Sequence, residues 1–154
     1  MKTKLSLSIS LLLLAIFVSA CGSQSATPTA EIAPIVSHGG PVEDYVSLID
    51  SLRGAGAIVE PGDQVEQAFF IVKGQIIKVN GADVQVFEYE NAEAMEADAA
   101  QVAPDGGSIG TSMVMWVEAP HFYKAGHILV LYVGEDQAIL DLLEGALGSQ
   151  FAGR

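Results

Sequence analysis

Asn80-Gly81 is the feature that most constrains the fold of this chain, because the dipeptide favours a two-residue turn between antiparallel strands. It lies between residues 69–79 and 82–89, two stretches rich in β-branched and aromatic side chains. The pattern therefore predicts a β-hairpin with a type I′ turn.

This turn also predicts the register of the hairpin. The expected cross-strand pairs are Lys78 with Asp83, Lys73 with Glu88, Ile77 with Val84, and Gly74 with Phe87. Two pairs join opposite charges, and the last lets an aromatic ring cover a bare stretch of backbone. Such pairs contribute about 0.2–1 kcal/mol each, so their agreement supports the predicted turn.

Apolar residues recur at helical spacing in three other parts of the chain. The expected helices cover residues 41–52, residues 91–102 with Asn91 as the N-cap, and residues 135–147 with Gly148 as the stop. A second strand pair is expected at residues 110–117 and 127–133, with residues 118–126 as the loop between them. A short strand at Ile58-Val59 is left open, since Pro61-Gly62 next to it favours a turn.

The element order α-ββα-ββα predicts a single α+β domain over residues 41–154. We expect a two-layer domain, in which an antiparallel sheet of four to five strands carries its helices on one face.

Residues 1–20 have the three regions of a secretory signal peptide. Lys2 and Lys4 provide a positive start, an apolar stretch follows, and the small residues Ser19 and Ala20 end it. The uninterrupted apolar core is shorter than the roughly 20 residues that a helix needs to cross a bilayer. A cleaved signal peptide is therefore favoured over an uncleaved membrane anchor.

Val18-Ser19-Ala20-Cys21 resembles the lipobox of bacterial lipoprotein precursors. The resemblance implies a diacylglyceryl group on the Cys21 sulfur, cleavage before Cys21, and acylation of the new amino terminus, with palmitate as a typical acyl group. It implies an extracytoplasmic protein that is lipid-anchored to a bacterial membrane. An ordinary secreted protein with one free thiol is the alternative. The resemblance covers residues 1–21, and the rest of the chain has only a general likeness to uncharacterised bacterial lipoproteins.

Residues 21–40 follow as the lipidated cysteine and a predicted flexible tether. This segment is rich in glycine, serine, threonine and proline and shows no helical or strand periodicity. Cys21 is the only cysteine, so its lipidation leaves no thiol for a disulfide or for catalysis.

The charge balance excludes one class of partner. The chain has 19 acidic and 7 basic residues and a formal net charge of −12. Nucleic-acid binding relies on lysine and arginine to neutralise phosphates, so we expect no nucleic-acid partner.

No motif in the chain indicates a cofactor, a metal or a catalytic group. A nucleophile elbow, a zinc-binding helix, a phosphate-binding loop and a dinucleotide fingerprint are all missing from the sequence. His121 and His127 lie near Glu118, but no third ligand stands at a recognisable spacing. Two surface imidazoles at the rim of a hairpin are the favoured interpretation.

Aromatic and cationic residues concentrate in one stretch, and such residues are enriched at binding hot spots. The candidate interaction surface consists of Trp116, His121, Phe122, Tyr123 and Lys124. Packing of Trp116 and Phe122 in the core is the alternative, and burial statistics favour it.

These observations predict a lipid-anchored accessory module that binds or assembles with an envelope protein or a small ligand. The alternative is a small envelope hydrolase that uses serine or carboxylate chemistry. A deep pocket with a serine or carboxylate beside a histidine would favour the hydrolase.

Replacing Cys21 with Ala tests the predicted anchor. The Cys21→Ala protein should leave the membrane fraction, because it lacks the sulfur that carries the diacylglyceryl group. Fractionation followed by immunoblotting measures this, with Gly22→Ala as the control that keeps the cysteine. Quantitative retention of Cys21→Ala in the membrane fraction would contradict the anchor.

Overall fold

The computed structural model describes residues 40–154. The predicted signal peptide, Cys21 and nearly all of the predicted tether lie outside the described residues, so these calls stay predictions. Within residues 40–154, no helix is long and apolar enough to cross a membrane.

The described chain forms three helices, a six-stranded sheet and a separate two-stranded hairpin. In chain order the elements are α1 (Tyr45–Gly54), β1 (Val59–Val65), β2 (Gly74–Val79), β3 (Ala82–Glu88), α2 (Ala92–Ala99), β4 (Ser108–Ile109), β5 (Ser112–Met113), β6 (Pro120–Ala125), β7 (Ile128–Val133), α3 (Gln137–Leu147) and β8 (Ala152–Gly153). The large sheet has the strand order β1-β2-β3-β7-β6-β8, and all its neighbours are antiparallel. The fold thus combines α-helices with an antiparallel sheet, and the sheet is one strand larger than the four to five predicted.

The β2–β3 hairpin forms at the predicted turn. Asn80 and Gly81 both have positive φ angles, 50° and 91°, as a type I′ turn requires. Three predicted pairs are confirmed: Gly74 with Phe87, Ile77 with Val84, and Lys78 with Asp83. Lys78 Nζ also lies 2.6 Å from the Asp83 carboxylate.

The fourth predicted pair, Lys73 with Glu88, lies just outside the observed ladder, and the two side chains have other partners. Lys73 precedes β2, and its Nζ lies 3.4 Å from the carboxylate of Glu66. The Glu88 carboxylate accepts a hydrogen bond from the backbone N–H of Tyr45 at the start of α1. It also lies 3.4 Å from Nε2 of His127. Lys73 and Glu88, at this end of the hairpin, therefore interact with other segments of the chain.

The second strand pair differs from the prediction. Residues 118–126 were expected to be a loop, but they contain β6, which pairs with β7 along its whole length. Residues 110–117 contribute only the two-residue β5. The observed order therefore replaces α-ββα-ββα, and the reason is burial: Phe122 and Tyr123 in β6 pack inside the domain.

The sheet is covered on both faces, so the prediction of a two-layer domain with helices on one face is wrong. Alternate residues of β7 contact different clusters. Ile128, Val130 and Tyr132 pack with residues of α1 and α3. Leu129 and Leu131 pack with residues of α2 and with Ile109 of β4.

Polar side chains cap the N-termini of the helices, and a glycine follows the last helix. Asn91 caps α2 as predicted, since its side chain accepts from the N–H of Ala94. The helix predicted from residue 41 begins only at Tyr45, because Asp44 and Ser47 form a capping box there. Gly148, with a φ of 81°, follows α3 as predicted.

The β1 edge of the sheet carries features that oppose further strand pairing. Its sequence includes Pro61, and its register with β2 is irregular between Pro61 and Gln64. The acidic residues Glu60 and Asp63 also lie in this strand. Proline, bulges and charges on an edge all hinder pairing with another strand.

Two glycine substitutions test the packing. A Cβ at Gly74 would lie 2.6 Å from Cε1 of Phe87, so Gly74→Ala should destabilise the domain by about 1–3 kcal/mol. Gly145, inside α3, has open space at the Cβ position. Gly145→Ala should therefore stabilise by about 0.5–1 kcal/mol. Urea denaturation measures both changes, and equal effects would contradict the close Gly74–Phe87 packing.

Candidate binding surface

Most of the predicted interaction surface is buried. Phe122, Tyr123 and His121 are exposed to only 0%, 3% and 6%, respectively. Burial also raises the pKa of the Tyr123 hydroxyl, with a smaller contribution from the charges of Glu144 and Asp141. Phe122 and Tyr123 are therefore core residues that point to opposite faces of the sheet. The alternative of core packing is correct for them.

Trp116 is half-buried and fixes the segment before β6 to the core. Its Nε1 donates a 2.7 Å hydrogen bond to the carbonyl oxygen of Gly106. Its ring meets those of Phe69 and Phe122 edge to face, with centroids 6.3 and 5.9 Å away. This packing sets the orientation of its neighbours in the chain.

A buried carboxylate fixes the backbone at Ile71, two residues after Phe69. Asp98 accepts hydrogen bonds from the hydroxyl of Tyr89, the backbone N–H of Ile71 and the side-chain amide of Gln101. Burial, together with the hydrogen bond to Asp98, raises the pKa of Tyr89, so its hydroxyl keeps the proton that it donates. This network ties residues 69–71 to α2, and with them the ring beneath Trp116.

Lys124 is engaged within the domain. Its Nζ lies 2.5 Å from the Glu96 carboxylate on α2 and 5.2 Å from the ring centroid of Phe151. Lys124 therefore ties β6 to α2 and to the segment after α3.

The two histidines do not form one site. His121 Nδ1 lies 2.6 Å from Oε1 of Gln150, and its Nε2 lies 3.1 Å from the carbonyl oxygen of Gly134. His127 lies beyond the other end of β6, about 16 Å away at roughly 3.3 Å per residue. Within residues 40–154, no group of three histidine, cysteine or acidic residues is arranged to hold a metal ion.

The geometry does not assemble a serine–histidine pair beside His121. Ser149 shares a shallow cleft with His121, but its hydroxyl bonds to Glu144 at 3.4 Å. Both ring nitrogens of His121 already face other oxygens. In the part of the chain that the structure describes, neither histidine is hydrogen-bonded to a serine.

A different set of residues forms an exposed apolar surface, which was not predicted from the sequence. Met113, Met115 and Val117 are 90%, 96% and 94% exposed. They alternate with Val114 and Trp116, which pack against the core beside α2. The three exposed side chains therefore lie close together along five residues of the chain. We call Met113, Met115 and Val117 the apolar strip.

An open groove of about 820 Å³ adjoins the apolar strip and includes Met115. It lies where β6 begins and β7 has ended. Its walls are formed by Val114, Met115, Trp116, Glu118, Ala119, Pro120, His121, Glu135, Gln137, Leu140 and Arg154. The side chains of Trp116, Pro120 and Leu140 make it partly apolar, while Glu118 and Glu135 bring two carboxylates and Arg154 one positive charge.

The chain enters the domain at the opposite end of β6. The carbonyl oxygen of Glu43 accepts a 2.9 Å hydrogen bond from the N–H of His127, next to the β6–β7 turn. A Cβ at Gly126 would lie 2.2 Å from that same carbonyl oxygen, which shows how closely the two segments pack. The length of β6, about 20 Å at roughly 3.3 Å per residue, separates this point from the groove.

Comparison with protein-family models, curated proteins and solved structures found no match. The function is therefore argued from the geometry of the apolar strip and the groove.

Two alanine substitutions separate core from surface in this region. Phe122→Ala should destabilise the domain by about 3–5 kcal/mol, since it removes a fully buried ring. Met115→Ala should change the free energy of unfolding by no more than about 0.5 kcal/mol, because its side chain is exposed. Chemical denaturation measures both. A large loss of stability in Met115→Ala would show that the apolar strip is part of the core.

Proposed function

We propose that this protein is an accessory binding module, held at the extracytoplasmic side of a bacterial membrane by lipid on Cys21. It binds an apolar segment with flanking basic residues in an envelope partner protein. The observation that carries the proposal is the apolar strip, three exposed apolar side chains that alternate with the packed residues Val114 and Trp116.

We expect the partner to be apolar because burial of the strip against an apolar surface is favourable. Exposed apolar residues scattered singly are ordinary, whereas contiguous ones mark interaction sites. Full burial of a valine or methionine side chain is worth about 1.5–3 kcal/mol. Met113, Met115 and Val117 can therefore anchor a partner, and the groove beside them can receive neighbouring side chains.

The basic character follows from charge complementarity. The chain carries a formal net charge of −12, and Glu118 and Glu135 line the groove. Acidic surfaces speed association with cationic segments and discourage acidic ones. Lysine or arginine beside the apolar anchor would meet these carboxylates.

The position of the strip favours a protein partner over the membrane itself. The chain enters the domain at the β6–β7 turn, while the groove lies at the other end of β6. The first described residues therefore lie at the end of β6 away from the strip. The negative charge of the domain also opposes contact with anionic headgroups.

Site-specific photocrosslinking tests the proposal. A benzophenone side chain at Val117 in the full chain, expressed in the native host, should give one dominant protein adduct. The crosslinked peptide should be apolar with flanking lysine or arginine. A synthetic copy of that peptide should bind less tightly as salt is raised, since screening weakens the attraction to the carboxylates.

The control places the same group at Ile58, which is exposed and apolar but lies just before β1. Ile58 should not give the adduct, and Met115→Glu should weaken the adduct formed from Val117. Identical adducts from both positions, adducts only with phospholipid, or adducts only with a second copy of this chain would each overturn the proposal.

A further inference from the structure

We infer that Met113 and Met115 form a reversible oxidation site that removes the apolar character of the strip. The inference deepens the proposed function, because it assigns a regulation to the same surface. The chemical class of the reagent is a hydroperoxide, with hydrogen peroxide as the simplest member.

The contrast among the methionines of the domain supports this assignment. Met113 and Met115 are 90% and 96% exposed, whereas Met95 on α2 is only 2% exposed. Oxidation of thioethers follows their exposure to solvent. A reagent in solution therefore reaches both exposed thioethers, while burial shields the thioether of Met95.

The oxidation requires only the methionine sulfur and the peroxide, and no other protein group takes part. A lone pair on the thioether sulfur attacks one oxygen of hydrogen peroxide, an S–O bond forms, and the O–O bond breaks. The leaving hydroxide takes the proton of the oxygen now bound to sulfur and becomes water, which leaves the neutral sulfoxide. The sulfur is oxidised by two electrons to the sulfoxide, and the peroxide is reduced.

Oxidation would act on binding through polarity. A sulfoxide is polar and accepts hydrogen bonds, so burying it against an apolar partner carries a desolvation cost that a thioether does not. Two of the three residues of the strip would change in this way, and Val117 would remain. Methionine sulfoxide reductases reverse the change.

Peroxide titration with peptide mapping tests the site itself. Met113 and Met115 of the full chain should be oxidised roughly tenfold or more faster than Met95 in the folded protein, and at equal rates in guanidinium, because only folding protects Met95. Equal rates in the folded protein, or protection of Met113 and Met115, would overturn the inference.

Retention on a phenyl resin tests the change in the strip without requiring a partner. Peroxide should shorten the retention of the wild-type protein, and methionine sulfoxide reductase should restore it. The matched variant Met113→Leu/Met115→Leu keeps the apolar character but cannot form a sulfoxide, so peroxide should leave its retention unchanged. Equal responses of the two proteins would overturn the inference.

The adduct formed by the benzophenone at Val117 tests both the binding function and its loss on oxidation. Its pattern shows which of the two proposals has failed. Peroxide should abolish the adduct in the wild-type protein and spare it in the leucine variant. An adduct that survives oxidation in the wild-type protein would overturn the inference and leave the binding function intact. Absence of the adduct in both untreated proteins would overturn the binding function, and with it the regulatory role of the oxidation.

Discussion

Burial of β7 on both faces is the constraint on which the rest of the structure depends. Every residue of β7 up to Tyr132 is buried, and alternate side chains enter two separate clusters. At about 1.5–3 kcal/mol for each large apolar side chain, this strand requires cover on both sides. Helices α1 and α3 cover one face, and α2 with the β4–β5 hairpin covers the other. Phe87 in β3 and Phe122 in β6 extend the second cluster to both neighbouring strands.

The parts of the fold that depend on local chemistry were predictable from the sequence. Asn80-Gly81 specifies its own turn and, through it, the register of the hairpin. Asn91 marks the start of α2 because its side chain caps the helix, and Gly148 marks the end of α3 because it lacks a side chain. β6 was missed because residues 118–126 were assigned to the connection between two strands, although proline is accepted at the first residue of a strand. The continuous apolar run 128–133 is typical of a strand buried on both faces, and it could have predicted helices on both sides.

The candidate site could not be predicted in the same way. Residues 113–117 are almost all large and apolar, so their sequence fits a strand buried on both faces. The packing of Trp116 against Phe69 and Phe122 decides which side faces inwards, and those rings come from distant parts of the chain. Composition likewise suggested Phe122 and Tyr123 as surface aromatics, but their position in β6 buries them. The lipobox prediction concerns residues outside the described part of the chain and stays a prediction.

The irregular β1 edge has a consequence for molecules that meet at high local concentration. Where many copies of a domain share a small volume, contacts between their sheet edges form at a high effective concentration. A regular, uncharged edge strand would then template sheet-to-sheet association between neighbours. Pro61, the irregular register beside it and the acidic side chains of β1 remove that template. The β1 edge therefore gives the sheet of a second copy no regular strand on which to extend.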